Sequence, residues 1–266
     1  MLSDVANFSP FHFHRFFANY TGELLQSYVR RLRLEHAARE LAFTSLPMTL
    51  IAEKAVFQSV QSFHYAFKKM FNETPALFRE KQLEKTNLLL SSDNQQLKNK
   101  VQTVSVKRIG SIEVLFARTV GVIDETELYK TWFKLITTAS VRTFLSAKSQ
   151  RISIFHDCKE TTALDKYRYD ACITRNELPY DFQPSANVGL QTIPKGLYAI
   201  VTHHGSLREI DSTFRALYRL WLPHSDYEPT NSLSFAIHQN LPFQTPEAEL
   251  LTDIYLPVVL RAQALY

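Results

Sequence analysis

Ile51-Ala-Glu-Lys-Ala-Val-Phe-Gln-Ser-Val-Gln-Ser-Phe-His-Tyr-Ala-Phe-Lys-Lys-Met-Phe-Asn-Glu-Thr-Pro75 reads as a short helix, a tight turn and a second helix. In the second helix Phe63, Ala66, Phe67 and Met70 recur at helical spacing and face inward. Gln58, Gln61, Ser62, Tyr65, Lys68 and Lys69 fall on or beside the outer face. A helix-turn-helix needs this division, because its second helix must bury one side and offer long polar and basic side chains to a major groove. Taken alone, the stretch equally describes an amphipathic helix pair with a solvated polar face.

A similar unit stands upstream, in Leu2-Ser-Asp-Val-Ala-Asn-Phe-Ser-Pro-Phe-His-Phe-His-Arg-Phe-Phe-Ala-Asn-Tyr-Thr-Gly22. Its order matches position for position: a short Ala-containing helix, a turn, Phe then Ser, and a helix with paired aromatics. Ser9-Pro10 is a good helix start, since the hydroxyl caps free amides and the missing N–H of Pro10 costs nothing there. The spacing predicts Phe13, Phe16, Phe17 and Tyr20 inward and Phe11, His14 and Arg15 outward. Between the units, residues 23 to 44 form a linking helix with an apolar stripe of Leu25, Tyr28, Val29, Leu32, Leu34, Ala37, Ala38 and Leu41. Such a rod holds two recognition helices at a set separation, and successive major grooves lie roughly 34 Å apart. The arginines on its other faces read as solvated surface with some pairing to Glu35 and Glu40.

Ser9-Pro10, His12-Phe13, Arg15-Phe17, Thr21-Gly22, Tyr28, Arg31-Leu32, Ala37-Ala38, Ile51-Ala52, Phe57, Ser59, Phe63, Phe67-Lys68, Thr74-Pro75 and Arg79 together resemble the DNA-binding region of the AraC/XylS family of bacterial transcription regulators. The resemblance covers about the first 85 residues. It implies DNA contact through Phe11, His14, Arg15, Gln58, Gln61, Tyr65 and Lys68. In that family a further helix precedes the first unit, whereas here Met1 stands directly before Leu2. The first helix of the pattern is missing, which suggests a truncated start and a less stable first unit. Each large apolar side chain left uncovered forgoes up to about 1.5–3 kcal/mol. The family also carries Gly in the second turn where this chain has Val56, and a positive φ is costly for a β-branched residue, so Val56 must either strain the turn by about 1–3 kcal/mol or reshape it. The equivalent residue of the first turn is Asn7.

Charge follows the same division. Residues 1–100 hold 13 Lys and Arg against 9 Asp and Glu, while residues 101–266 hold 17 of each. The whole excess of +4 lies on the segment read as touching phosphates, although so small a surplus alone identifies no DNA binder. Two cysteines, Cys158 and Cys172, fit neither a disulfide framework nor a four-ligand zinc site and read as buried thiols. No apolar run is long enough to span a bilayer and no leader pattern is present, so a cytoplasmic protein with no membrane partner is expected.

Residues 86–100 turn polar and mark a linker between a domain at 1–85 and a second at 101–266. The second contains a duplication. An extended run at 112–121, a helix near 125–146 and strands around Ile152–Asp157 and Tyr167–Ile173 are followed by a second run at 197–205, a helix near 207–221, and strands at Ser234–His238 and Leu251–Pro257. The order strand, helix, strand, strand occurs twice, predicting a pseudo-symmetric α+β domain with a groove between its halves. Tyr169-Asp170, Ile193-Pro194, Gly196, Tyr198-Ala199, Gly205, Trp221-Leu222-Pro223, Thr252-Asp253-Ile254-Tyr255 and Pro257 make this half resemble the GyrI-like effector-binding domain of several regulators.

The resemblance implies a small-molecule effector site near Trp221, Phe235, Ala236, His238 and Tyr255. That family commonly carries a Glu within Phe-Glu-x-Tyr that faces lipophilic cations; the corresponding residue here is Ala236. A neutral or anionic lipophilic ligand held by aromatics is therefore expected, unless Asp170 or Asp253 turns into the groove. His12 and His14, and His203 and His204, are spaced to point apart, and His156 with Cys158 lacks further ligands, so no metal, cofactor or catalytic group is assigned. The reading is a DNA-binding transcription regulator controlled by a small molecule, with promoter DNA and RNA polymerase as candidate partners. The alternative is a ligand-binding or hydrolytic GyrI-like protein whose DNA module has decayed.

Overall fold

The computed structural model describes residues 2–91, 99, 101, 103–138, 148–175, 188–240 and 244–261. They divide into two units, Met1–Asn87 and Leu88–Tyr266. The first unit is helical: α1 (Leu2–Val5), α2 (Pro10–Thr21), α3 (Leu25–Phe43), α4 (Met48–Lys54), α5 (Val60–Phe71) and α6 (Pro75–Ser91). α6 runs on to Ser91, so the first six residues of the expected linker are helical.

Capping chemistry sets both recognition helices. Ser9 accepts from the His12 amide at the start of α2, and Ser59 and Ser62 exchange a reciprocal capping box at the start of α5. Both helices end in the left-handed region, at Gly22 (φ 70°) and Asn72 (φ 59°). The turns before them are closed alike, by Phe8 N–H to Ser3 O and Phe57 N–H to Ala52 O, each 3.0 Å. One residue more, Gln58, then separates Phe57 from its cap than separates Phe8 from Ser9, so the two units do not match position for position. Asn7 (φ 54°) and Val56 (φ 59°) occupy the left-handed position of their turns. Val56 therefore strains the turn without reshaping it.

The units differ in burial. Leu34, Ala37, Ala38, Leu41, Ile51, Ala52, Phe63, Ala66, Phe67 and Phe78 form one core around α5, built from the C-terminal half of α3 with α4 and α6. α2 buries no residue fully. Phe13 and Phe17 lean towards α3, where Phe17 meets Tyr28 edge-on at 5.2 Å. Phe16 and Tyr20, expected inward, are 54% and 78% exposed. The physical reason is the lack of a helix, among the described residues, that does for α2 what α3 does for α5. The linking helix is half-buried at Leu25, Tyr28, Val29 and Leu32 for the same reason. Arg31 holds this region by bonding Glu23 at 3.1 Å and Glu35 at 3.0 Å, while Glu40 pairs with Lys54 instead of an arginine.

The second unit is an antiparallel sheet of β1 (Ser105–Ile109), β2 (Ile112–Val120), β3 (Arg151–Phe155), β4 (Arg168–Thr174), β5 (Gly189–Ile193), β6 (Gly196–His204), β7 (Tyr227–Pro229), β8 (Ser234–His238) and β9 (Leu251–Leu260), ordered β1-β6-β9-β8-β3-β4-β2-β5 with β7 on β9. Helices α7 (Glu125–Thr137) and α8 (Ile210–Ala216) belong to successive halves, β2-α7-β3-β4 and β6-α8-β8-β9. The expected duplication is present, and the first-half helix is described to Thr137, with residues 139–146 of its expected span lying outside the described residues. Strands β1, β5 and β7 were not anticipated. β1 pairs with β6 and β5 with β2, so each leading strand crosses to the opposite half. The halves meet where β3 pairs with β8, with Ser153 opposite Ala236.

Alternation divides the sheet's side chains between two faces. Leu115, Ala117, Tyr169 and Ala171 pack with Trp132 of α7, and Ala199, Val201, Ala236 and Ile254 pack with Ile210 of α8. On the far face, Val114, Ile152, Ile154, Cys172, Tyr198, Phe235 and Ile237 form a separate core. Val56→Gly should stabilise the first unit by about 1 kcal/mol, the relief of backbone strain less the added flexibility of glycine. Thermal denaturation followed by circular dichroism reads this, and an unchanged or lower midpoint would mean that the turn bears no strain.

Candidate functional site

On the first unit the residues assigned to DNA lie on solvent-facing surfaces. Phe11, His14 and Arg15 of α2 are exposed, as are Gln58 before α5 and Gln61, Tyr65 and Lys68 along it. Phe11 and Tyr65 are each more than 70% exposed, although both are aromatic. Phe63, Ala66 and Phe67 of α5 are buried and Met70 is half-buried, so the helix is held by its inner face. Arg79 supports the same unit from α6, its Nη2 donating to the Leu46 carbonyl at 2.6 Å in the loop that enters α4.

The five effector residues are divided between the sheet's faces. Phe235 and Tyr255 lie on the far face, stacked at 4.5 Å with rings 9° apart. Ala236 faces the helices and is fully buried. His238, two residues on, shares that side. Trp221 packs at the edge of the α8 core, stacked on Tyr227 of β7 at 6.0 Å. A single groove holding all five is therefore ruled out by strand periodicity: Phe235 and Ala236 are neighbours and must point oppositely.

The structure instead gathers a polar chain on the helix side, around the Ser153–Ala236 pair, buried at Ser153, Tyr169 and Thr252 and half-buried at Trp132 and His238. Trp132 Nε1 donates to the Tyr169 hydroxyl at 2.9 Å, Tyr169 Oη lies 2.6 Å from Ser153 Oγ, Ser153 Oγ lies 2.8 Å from His238 Nε2, and His238 Nδ1 lies 3.2 Å from Thr252 Oγ1. One donor direction satisfies every link: indole to phenol, phenol to serine, serine to Nε2, and Nδ1–H to threonine. This requires a neutral His238. Burial, reinforced by the positive charge of Arg151, lowers its pKa to about 4, and burial pushes the Tyr169 phenol up. The chain holds no ionised member. Ser153, Tyr169, Trp132 and Thr252 were not anticipated, though Ser153 could have been found as the residue that the duplication sets against Ala236.

His203 and His156 are held in structural hydrogen bonds. His203, fully buried, sits between Thr213 Oγ1 and the Ser206 carbonyl, both at 2.8 Å, an arrangement that a neutral ring with its proton on Nε2 satisfies. His156 donates from Nε2 to Asp170 Oδ2 at 2.7 Å. Asp170 is fully buried on the far face, where Arg118 Nε and Nη2 grip its two oxygens at 2.7 and 2.8 Å and Gln191 adds a third donor to Oδ2 at 2.7 Å. Asp253 also projects from the far face, opposite Thr202 and Ile237. Neither carboxylate joins Ala236 on the helix side. No metal-binding cluster occurs among the described residues, and none of their helices is long and apolar enough to cross a membrane.

Comparison with known proteins bears on both units. The model of the GyrI-like small molecule binding domain matches residues 102–259, and that of a helix-turn-helix domain matches residues 2–81. Transcriptional regulator Rob of Salmonella typhimurium is 42% identical over 74 residues, 28% of this chain and 26% of Rob. The chain thus matches about a quarter of that relative's length. HTH-type transcriptional activator AarP of Providencia stuartii is 38% identical over 92 residues, 34% of this chain and 68% of AarP. The cryo-EM structure of an EcmrR–DNA complex aligns over 97% of both chains at 17% identity, with a TM-score of 0.47.

Asp170 generates a prediction about acid. Burial alone would raise its pKa, but the hydrogen bonds and charges of Arg118 and His156 outweigh that and hold it at about 2. A depressed pKa contributes stability that is complete above the unfolded value near 3.8 and is lost as pH falls through about 2. Asp170→Asn should cost about 1–3 kcal/mol at neutral pH, because the neutral amide loses the charge-assisted hydrogen bonds from Arg118 and His156. It should also flatten the fall in denaturation midpoint between roughly pH 4 and 2; an unaltered acid profile would place that sensitivity on another carboxylate.

Proposed function

The chain belongs to the GyrI-like small-molecule-binding family and carries an AraC-type helix-turn-helix domain ahead of that domain; on this premise we propose that it is a sequence-specific DNA-binding transcription regulator controlled by a small molecule bound at the helix-side seam of its second unit. The observation that carries the seam is the largely buried Trp132–Tyr169–Ser153–His238–Thr252 chain where the halves meet. Buried polar groups without ionised partners hold each other's hydrogen bonds in the unliganded protein and exchange them for those of a ligand. Ala236 beside them adds no charge. The effector class is a neutral, largely apolar molecule with one or two hydrogen-bonding groups.

Promoter DNA is the macromolecular partner, read by Arg15, His14 and Gln61 with Phe11, Gln58, Tyr65 and Lys68 at the flanks, and RNA polymerase is the further candidate. The hydrolytic alternative has less support. His238 is flanked by hydroxyls rather than a carboxylate, and at a pKa of about 4 it is a poor general base.

Two measurements test this reading. Arg15→Ala should weaken binding to a selected operator by about 1–3 kcal/mol and to random duplex by less. Equal losses would make Arg15 a phosphate contact. For the seam, Ala236→Glu buries an unpaired carboxylate, which should lower the melting temperature of the free protein. It should also raise affinity for a lipophilic quaternary cation, since opposite charges at about 4 Å interact at roughly 4 kcal/mol with an effective dielectric of 20. A variant that gains no cation affinity would place the effector elsewhere.

A further inference from the structure

The duplication places two aspartates in equivalent positions with unequal partners. Ser153 to Ala236 and Asp170 to Asp253 are both steps of 83 residues, and the first pair face each other at the centre of the sheet. Asp170 lies opposite Arg118 in the β2–β4 register, and Asp253 opposite Thr202 in the β6–β9 register. Each accepts from that partner and from a glutamine amide. Thr202 Oγ1 reaches Asp253 Oδ1 at 2.6 Å and Gln239 Nε2 reaches Oδ2 at 2.7 Å, as Gln191 reaches Asp170 at 2.7 Å.

The difference is the counter-ion. Asp170 is neutralised by the bidentate guanidinium of Arg118, with His156 beside it. Among the described residues no Lys, Arg or His lies within ion-pair distance of Asp253, whose partners are both neutral. A carboxylate offers about four acceptor positions, and two are used here. Tyr255, on the same strand face, presents a ring stacked on Phe235. The Tyr255 phenol is pushed up by burial and then by the charge of Asp253, which puts the two groups within electrostatic reach. Asp253 and Tyr255 are both only partly buried, so solvent reaches the position.

We propose that Asp253 anchors a second small-molecule site, on the far face and separate from the seam, that takes a guanidinium or primary ammonium compound where the first half of the domain has Arg118. A planar guanidinium matches a carboxylate through two parallel N–H donors, and the adjacent aromatic ring favours a cation over its face. A quaternary ammonium ion carries the charge but no donor, and fits the place poorly.

Isothermal titration of the full chain with phenylguanidine and, in parallel, with tetramethylammonium tests the site. Saturable binding of phenylguanidine is expected, with tetramethylammonium weaker by about tenfold or more. Asp253→Asn should lose the phenylguanidine binding. Thr202→Arg, which supplies internally the guanidinium that Arg118 supplies opposite Asp170, should abolish binding and raise the melting temperature. No saturable binding by the native protein overturns the proposal, as does equal binding by folded Asp253→Asn. If Asp253→Asn does not fold, undiminished binding by Thr202→Arg overturns it, because that variant retains the carboxylate and fills its vacant side.

Discussion

The pairing of β3 with β8 is the constraint on which the second unit depends. Each half contributes one strand to that junction, and the register that sets Ser153 opposite Ala236 also determines which side chains face the helices. A slip by one residue would turn Ile152, Ile154, Phe235 and Ile237, all buried on the far face, towards α7 and α8, and would drive His238 out of its hydrogen bonds. The register is therefore held from both sides, by an apolar core on one face and a polar chain on the other. A buried polar chain has an exacting geometry, since its members are costly when one link is missing. Here that geometry lies where the two halves join.

The fold was legible in the sequence wherever a feature was repeated. The Ser9 cap of α2, the 3.6-residue spacing of Phe63, Ala66, Phe67 and Met70, and the recurring strand-helix-strand-strand order all carry their own local signal. The strained Val56 was also legible, because the demand for a positive φ comes from the turn and not from distant contacts. The effector residues were only partly legible. Family likeness assigned Phe235 and Ala236 to one pocket, whereas the two-residue period of a strand sends adjacent side chains to opposite faces. Trp132, on a helix, and Thr252, on the last strand, meet the chain through tertiary packing that no local pattern encodes. Strands β1 and β5 were missed because they are short and pair across the halves, a relation without a sequence signature.

The two helix-turn-helix units show how burial separates geometry from stability. Their turns and terminal αL residues correspond, yet α5 is enclosed by α3, α4 and α6 while α2, among the described residues, buries none of its own fully and meets α3 through Phe17. The stack of Phe8, Phe16 and Tyr20 along α2, at 5.6 and 6.2 Å, stabilises the exposed side through the rings themselves. Exposed stacking contributes less than enclosure, because much of the aromatic surface stays in water. The N-terminal half of this unit is thus the low-stability end of a domain whose other half is well packed.

Asymmetry between equivalent positions runs through the second unit as well. Ser153 and Ala236 share the centre of the sheet, but only the serine hydroxyl can link Tyr169 to His238. Asp170 and Asp253 share a place in their halves, but only Asp170 has an arginine. Duplication supplies two copies of each environment, and the demands of a folded core are met when one copy is satisfied internally. A fully paired Asp170 rigidifies the first half, since separating it from Arg118 would leave buried charge uncompensated. The second copy can then depart from that solution at little cost to stability, because Asp253 is only half-buried and its neutral donors already order it. In this domain, the carboxylate that is not needed to hold the sheet together therefore lies in the half from β6 to β9.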